Sequence, residues 1–291
     1  MTLKKTSLLF VASLLSISVV SIAQTATTGK LLLSKGQKMQ IDNTVKSVTN
    51  MDMMGQSMEM TSDAAMVNQV EVKDKANEAY TVTNTLTKLV TSGSAMGQDY
   101  SFDSEKKEDL ESEMGKVLKN QINVTTEMEF TTTGKLGNVK KVTETETAAK
   151  GNPMVDMMKS MSGGGNDESG GTSDIFMVLP VGKKVGDTWS DSTISDGIKV
   201  YRNYLLKDMK ANAATLTLTG TQSTNKKMEQ QGMEVIVALE SKLNGELIID
   251  TTTGVVISKS FVMDGTGSAD AMGQAIPITT KITSTTLVKN L

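Results

Sequence analysis

Along residues 80–90 the order Tyr-Thr-Val-Thr-Asn-Thr-Leu-Thr-Lys-Leu-Val repeats with a period of two. That spacing fits an extended strand and no helix. Tyr80, Val82, Leu86 and Val90 are expected on one face, with Thr81, Thr83, Thr85 and Thr87 on the other. The device recurs at residues 215–221, where Leu216 and Leu218 oppose Thr215, Thr217 and Thr219. It recurs again where Ile276, Ile278 and Ile282 oppose Thr279, Thr283 and Thr285. A β-branched hydroxyl residue suits a solvated pleated face, and sheets with one wet face are usually antiparallel. Further strands are expected over residues 36–49, 57–73, 98–103, 123–130, 197–207, 233–240, 246–250 and 255–263.

Glycine marks the joints between these segments. Met54-Gly55-Gln56, Met96-Gly97-Gln98 and Met272-Gly273-Gln274 each precede a β-like run, and Thr131-Thr132-Thr133-Gly134 and Thr251-Thr252-Thr253-Gly254 each join two of them. The two TTTG copies point to two similar halves. Two helices are expected. One covers residues 105–120, with Ser104 as N-cap and Leu110, Met114, Val117 and Leu118 on one face. The other starts at Asn152-Pro153 and sets Met154, Met157, Met158 and Met161 on one side. Residues 162–173, rich in Gly and Ser, read as a flexible linker. The expected fold is α+β, mainly β: a large curved antiparallel sheet or open half-barrel of two similar halves, with about two helices packed against it. Residues 24–291 form a single β-rich domain in this reading, with halves 30–161 and 174–291.

Residues 1–23 read as a secretory signal peptide: Lys4 and Lys5, an apolar stretch from Leu8 to Val20, then Ser21-Ile22-Ala23. Its removal takes two lysines and no acid from a chain of net charge −3. The remainder is acidic and carries no basic run, which argues against nucleic acid as a partner. With no Cys after the apolar run, lipid anchoring through an acylated cysteine is not expected, nor is a transmembrane segment after cleavage. The chain is expected to be exported and soluble, in the periplasm or outside the cell.

The absence of His and Cys removes thiol nucleophiles, Ser-His-Asp triads and imidazole- or thiolate-bound zinc. Aromatic residues are 3% of the chain, too few for a long stacking cleft. Neither G-x-x-x-x-G-K-[ST] nor G-x-G-x-x-G occurs, and among 33 acids no catalytic pair stands out. No catalytic residue and no cofactor is assigned, and the protein is read as a non-enzyme.

Several short motifs together carry a family resemblance. Tyr100-Ser101-Phe102-Asp103-Ser104, the helix after it, the first TTTG hairpin, Leu179-Pro180, Val185 to Trp189 and the final turn from Asp250 to Gly254 appear in that order. The chain thus resembles a family of uncharacterised exported bacterial β-rich proteins, a domain of unknown function. The resemblance implies a β-rich envelope protein and passes on no catalytic residue. At the level of fold the elements are also similar to the half-barrel of bacterial lipoprotein carriers, which is an analogy alone.

Three constellations bear on function. Met51, Met53, Met54, Met58 and Met60 lie within ten residues. Thioethers are soft ligands that select Cu(I), so a Cu(I) or Ag(I) site is one reading and an adaptable apolar lining the other. Residues 264–270, Asp-Gly-Thr-Gly-Ser-Ala-Asp, could offer oxygens to Ca²⁺ but lack the EF-hand spacing, and read as a turn. Trp189, the only Trp, is expected to anchor core, and Gly134 and Gly254 to shape turns. The favoured function is binding of an apolar small molecule or lipid on the sheet face; the alternative is a structural or interaction protein of the cell envelope, partnered by another envelope protein.

Overall fold

The period-two segments become the strands of one antiparallel sheet. The computed structural model describes residues 29–53, 56–95, 97–141, 172–195, 197–230, 233–271 and 274–291. The expected leader, the helix at 152–161 and all but the last two residues of the linker lie outside them.

The first half contributes β1 (Lys38–Met53), β2 (Gln56–Ala76), β3 (Ala79–Ala95), β4 (Gln98–Asp103), the short helices α1 (Lys107–Glu111) and α2 (Glu113–Leu118), β5 (Thr125–Thr131) and β6 (Leu136–Lys141). The second contributes β7 (Thr188–Ser195), β8 (Ile198–Lys210), β9 (Ala213–Gln230), β10 (Met233–Asp250), β11 (Val256–Ala271) and β12 (Gln274–Asn290). The order across the sheet is β6-β5-β3-β2-β1-β12-β11-β10-β9-β8-β7, with β4 paired to β3. The outermost strands, β6 and β7, do not meet, so the sheet is open. No helix among the described residues is long and apolar enough to cross a membrane.

The two halves repeat one plan. Val72 N–H donates to Gln37 O at 2.9 Å while Gly36 N–H donates to Val72 O at 2.8 Å; Leu206 does the same with Asp187 and Gly186 at 3.0 and 2.8 Å. A bulge follows each, at Val72/Asp74 in β2 and Leu206/Asp208 in β8. The next turns carry the left-handed residues Asn77 and Ala211. Beyond them Thr132 N–H reaches Glu78 O at 2.9 Å and Thr251 N–H reaches Asn212 O at 2.7 Å. The TTTG turns hold equivalent places, with Gly134 at φ 81° and Gly254 at φ 76°. An N-terminal strap ties the two together: Leu31 N–H donates to Thr132 O and Leu32 N–H to Thr253 O. β12 joins the halves, pairing with β1 and β11.

Register divides the side chains between two faces. Thr217, Thr219, Thr283, Thr285 and their neighbours take one face and are largely solvated. The other face holds two buried clusters at the end of the sheet near the TTTG turns. One is built on Leu31, Met39, Val72, Tyr80, Phe130 and Phe176, the other on Leu179, Leu206, Leu216, Leu247 and Val256. A third cluster lies under the helices, around Leu89, Phe102 and Leu118.

Glycines shape that packed face. Gly93, Gly220, Gly245, Gly265 and Gly267 all fall on it by register. A Cβ on Gly267 would overlap the Ala238 carbonyl oxygen, and one on Gly220 the Tyr201 carbonyl oxygen. Strands approach too closely there for any side chain, the mark of a sheet bent toward its glycine-bearing side. This face is the concave one.

Five expectations need correction. Residues 264–270 are not a turn or a cation loop but the interior of β11, paired on both sides; cross-strand pairing overrides the local preference of glycine for turns. Residues 233–240 and 246–250 belong to one strand, β10. Val90 lies on the convex face, because a bulge in β3 at Thr87 shifts the alternation. The helix expected over 105–120 breaks at Ser112, whose Oγ accepts from Gly115 N–H at 3.0 Å and caps α2. Ser104 caps no helix; its Oγ accepts from Leu89 N–H at 2.9 Å. The strands β6 and β7 were not anticipated.

Candidate functional site

Beyond the packed clusters, toward the end of the sheet where β1 passes into β2 and β11 into β12, the concave face continues as rows of side chains from both halves. One row runs Met58, Met51, Ile278, Gly267, Leu239 across β2, β1, β12, β11 and β10, each residue paired with the next. A parallel row nearer the rim sets Ile276 beside Ala269 and Ala269 beside Val237. Ile278 and Ala269 are buried, while Met51, Met58, Leu239 and Val237 are half-buried. None of these side chains belongs to the three core clusters. Period two explains the composition of each strand's contribution; the register fixed by the hairpins and β12 turns those contributions into one apolar surface.

Just inside it, next to Met60, lies a mostly polar row: Thr49, Thr280, Gly265, Ser241, Gln222. Thr49 Oγ1 and Thr280 Oγ1 share a hydrogen bond at 3.1 Å. Ser241 is buried, as are Ser47 and Ser62 one row further in. No room is left over at either glycine: a Cβ on Gly265 would meet Ser241 Oγ at 2.6 Å and Thr280 Cγ2 at 2.8 Å, and one on Gly267 the Ala238 carbonyl oxygen. Sequence reading missed this arrangement, because it looked for glycines in turns; their spacing of two in β11 is the signal that places both on one face.

At the β7 edge the concave face is charged and aromatic. Trp189 stacks on Tyr204 with ring centres 5.5 Å apart, packs against the second cluster, and has Lys183 Nζ 5.6 Å from its ring centre. The Tyr204 hydroxyl donates to Asp191 Oδ2 at 3.1 Å, and Arg202 Nη1 lies 3.4 Å from Asp191 Oδ1. Burial first, and then the negative charge of Asp191, push the Tyr204 phenol above its ordinary value. Lys259 Nζ meets Asp174 Oδ2 at 2.5 Å where residues 172–175 cross the sheet. These groups satisfy one another, and their arrangement serves packing of β7 and of the crossing segment.

Met51, Met58 and Met60 therefore come together on the concave face. The backbone of Met53 continues β1, and Met54 lies outside the described residues. Gly134 and Gly254 stand at the opposite end of the sheet, where a Cβ on Gly134 would come within 2.8 Å of Phe176 O. A cavity of about 40 Å³ at that end is lined by Gln37, Asp250, Thr253, Val255, Val256, Ile257, Val288 and Asn290.

These features define a class: an open, curved antiparallel sheet built from two similar halves, with an apolar concave surface extending past its core. The model of a family of unknown function (DUF6263) matches residues 77–256, and the chain belongs to that family. No curated protein matches it. Among solved structures it is similar in fold to lipovitellin, in a structure that concerns lipid–protein interactions: TM-score 0.51, 10% identity, 89% of this chain and 25% of that one. The chain thus spans about a quarter of the lipovitellin chain. An outer membrane channel from Pseudomonas putida F1 aligns at a TM-score of 0.24 and 9% identity, over 89% of this chain and 98% of the channel.

Proposed function

We propose that the protein is an exported, non-enzymatic binding protein that shelters an apolar molecule, an acyl chain or similar lipid, on the concave face of its sheet. The observation carrying this reading is the double row of Met, Ile, Ala, Leu and Val that continues the apolar face beyond the packed clusters. Methionine gives such a surface adaptability, and the adjoining hydroxyl row offers hydrogen bonds to a ligand's polar end. The fold shared with lipovitellin agrees with a lipid ligand. The small cavity at the other end does not serve: a site that engulfs a lipid-sized molecule needs on the order of 300 to 1,000 Å³. The ligand lies on the open face.

The test is direct. Protein purified without detergent and extracted with organic solvent should release lipid in stoichiometric amount, and emptied protein should take up a fluorescent acyl probe. Ile278→Asp should abolish uptake while the strand signature of circular dichroism persists. Protein that is always empty, and folded protein that ignores the probe, would sink the reading.

A second reading, a structural or interaction protein of the envelope, is favoured by the β7 edge. That strand is solvated along most of its length, carries no Lys or Pro, and has no bulge in its pairing with β8. Such an edge can pair with an extended segment of another envelope protein. Ser192→Pro should then release a co-purifying partner without affecting probe uptake.

A further inference from the structure

We propose that Met51, Met58 and Met60 form a thioether site for a soft monovalent cation, Cu(I) or Ag(I), at the rim of the concave face. Met51 and Met58 are direct partners in the β1–β2 ladder, and Met60 pairs with Thr49, one step along the same face. Directly opposed residues have Cβ atoms about 4.5–5.5 Å apart and diagonal ones about 7–8 Å. Residues i and i+2 of a strand are separated by roughly 6.6 Å. The three side chains thus rise from a small triangle. Each is unbranched and carries its sulfur two bonds beyond Cβ, so the three sulfurs can meet above its centre.

The surroundings select the metal. The concave neighbours of this triangle, Thr49 and Ile278, are uncharged, and register turns the nearest acids, Asp52 and Glu59, to the convex face. Among the described residues no group of three His, Cys, Asp or Glu could hold a metal. Hard divalent ions therefore find no carboxylate cage, whereas neutral thioethers bind soft Cu(I) and need not lose a proton first. All three methionines are half-buried and outside the core clusters. Met39 and Met128, by contrast, are fully buried and fill core space. A cation at the rim keeps part of its hydration and avoids the full cost of burial.

The site shares Met51 and Met58 with the apolar row, and a metal titration reads it without any acyl ligand present. Purified protein labelled at its methionine methyl groups is titrated with Ag(I), and with Cu(I) under reducing conditions. The resonances of Met51, Met58 and Met60, assigned by single leucine substitutions, should move together and saturate with one ion. Zn²⁺ should leave them in place. The variant Met51→Leu/Met58→Leu/Met60→Leu should bind Ag(I) more weakly by on the order of tenfold or more, with the strand signature of circular dichroism unchanged. Unchanged Ag(I) affinity in that variant would overturn the proposal. Should the triple variant fail to fold, Met58→Leu alone is read in the same way. Saturating shifts confined to other methionines would overturn it too.

Discussion

At Gly267 the absence of one methyl group decides how far the sheet can bend. A Cβ there would overlap the Ala238 carbonyl oxygen of the neighbouring strand, a backbone atom with no rotamer to escape into. Gly→Ala in an ordinary strand position stabilises by restricting the unfolded chain; at Gly267 the overlap outweighs that gain. Gly267→Ala is expected to cost about 1–3 kcal/mol in chemical denaturation. Gly137→Ala in β6, whose Cβ would meet Glu129 O at an ordinary 3.4 Å, should be neutral or mildly stabilising. Equal midpoints for the two variants would show that the close approach does not constrain the sheet. Tyr204 offers a second test. Its phenol is held above the ordinary tyrosine value by burial and by Asp191. The folded state therefore grips this proton more tightly than the unfolded state. That contribution is complete below about pH 10 and is lost as pH rises through the folded value. Tyrosinate absorbance of the folded protein should show a late step that Tyr204→Phe removes, and the same change should flatten the loss of stability in alkali. A late step that survives the substitution would assign it elsewhere.

At the scale of elements, the strands were legible where a β-branched or apolar residue alternates with a polar one, because that pattern acts within a single strand. What was not legible depends on a partner. Val90 changes face through a bulge fixed by pairing with β2, residues 264–270 stay extended only because β10 and β12 flank them, and β6 and β7 are too short and polar to announce themselves. The candidate site was legible in the same partial way. Alternation put Met58 beside Met60 and Ile276 beside Ile278, but their union in rows needs the register of five strands from both halves. The helical segment shows local competition: Ser112 Oγ donates to Asp109 O at 2.6 Å and accepts from Gly115 N–H, ending α1 and starting α2 with one side chain. Ser112→Ala should remove about 1 kcal/mol locally. Amide exchange at Gly115 should speed accordingly, with the global midpoint almost unchanged, since these helices cover only the small cluster around Leu89, Phe102 and Leu118. Unaltered exchange at Gly115 would mean the cap is not what holds α2.

At the scale of the molecule, a duplicated plan poses the question of whether the halves stand alone or together. Each has its own TTTG turn, bulge and cluster, yet three connections cross between them. The strap at Leu31 and Leu32 bonds to both turns, Ile175, Phe176 and Val255 of the second half lie in the cluster of the first, and β12 pairs with β1 along nearly its whole length. Ser284 sits in the middle of β12, buried, opposite Val45 on one side and Phe261 on the other. Ser284→Pro removes a ladder donor from a central strand, at a cost of roughly 3 kcal/mol or more. Trp189, the only Trp, lies on β7 with four strands between it and β12, so its fluorescence reports the far edge while far-ultraviolet circular dichroism reports the entire sheet. If the connections make the sheet one cooperative unit, both signals should share a single denaturation midpoint in the unaltered protein and fall by the same amount in Ser284→Pro. A Trp189 midpoint that stays put while the dichroism midpoint drops would show that the second half holds its structure without the seam, and that the duplication has left two units side by side.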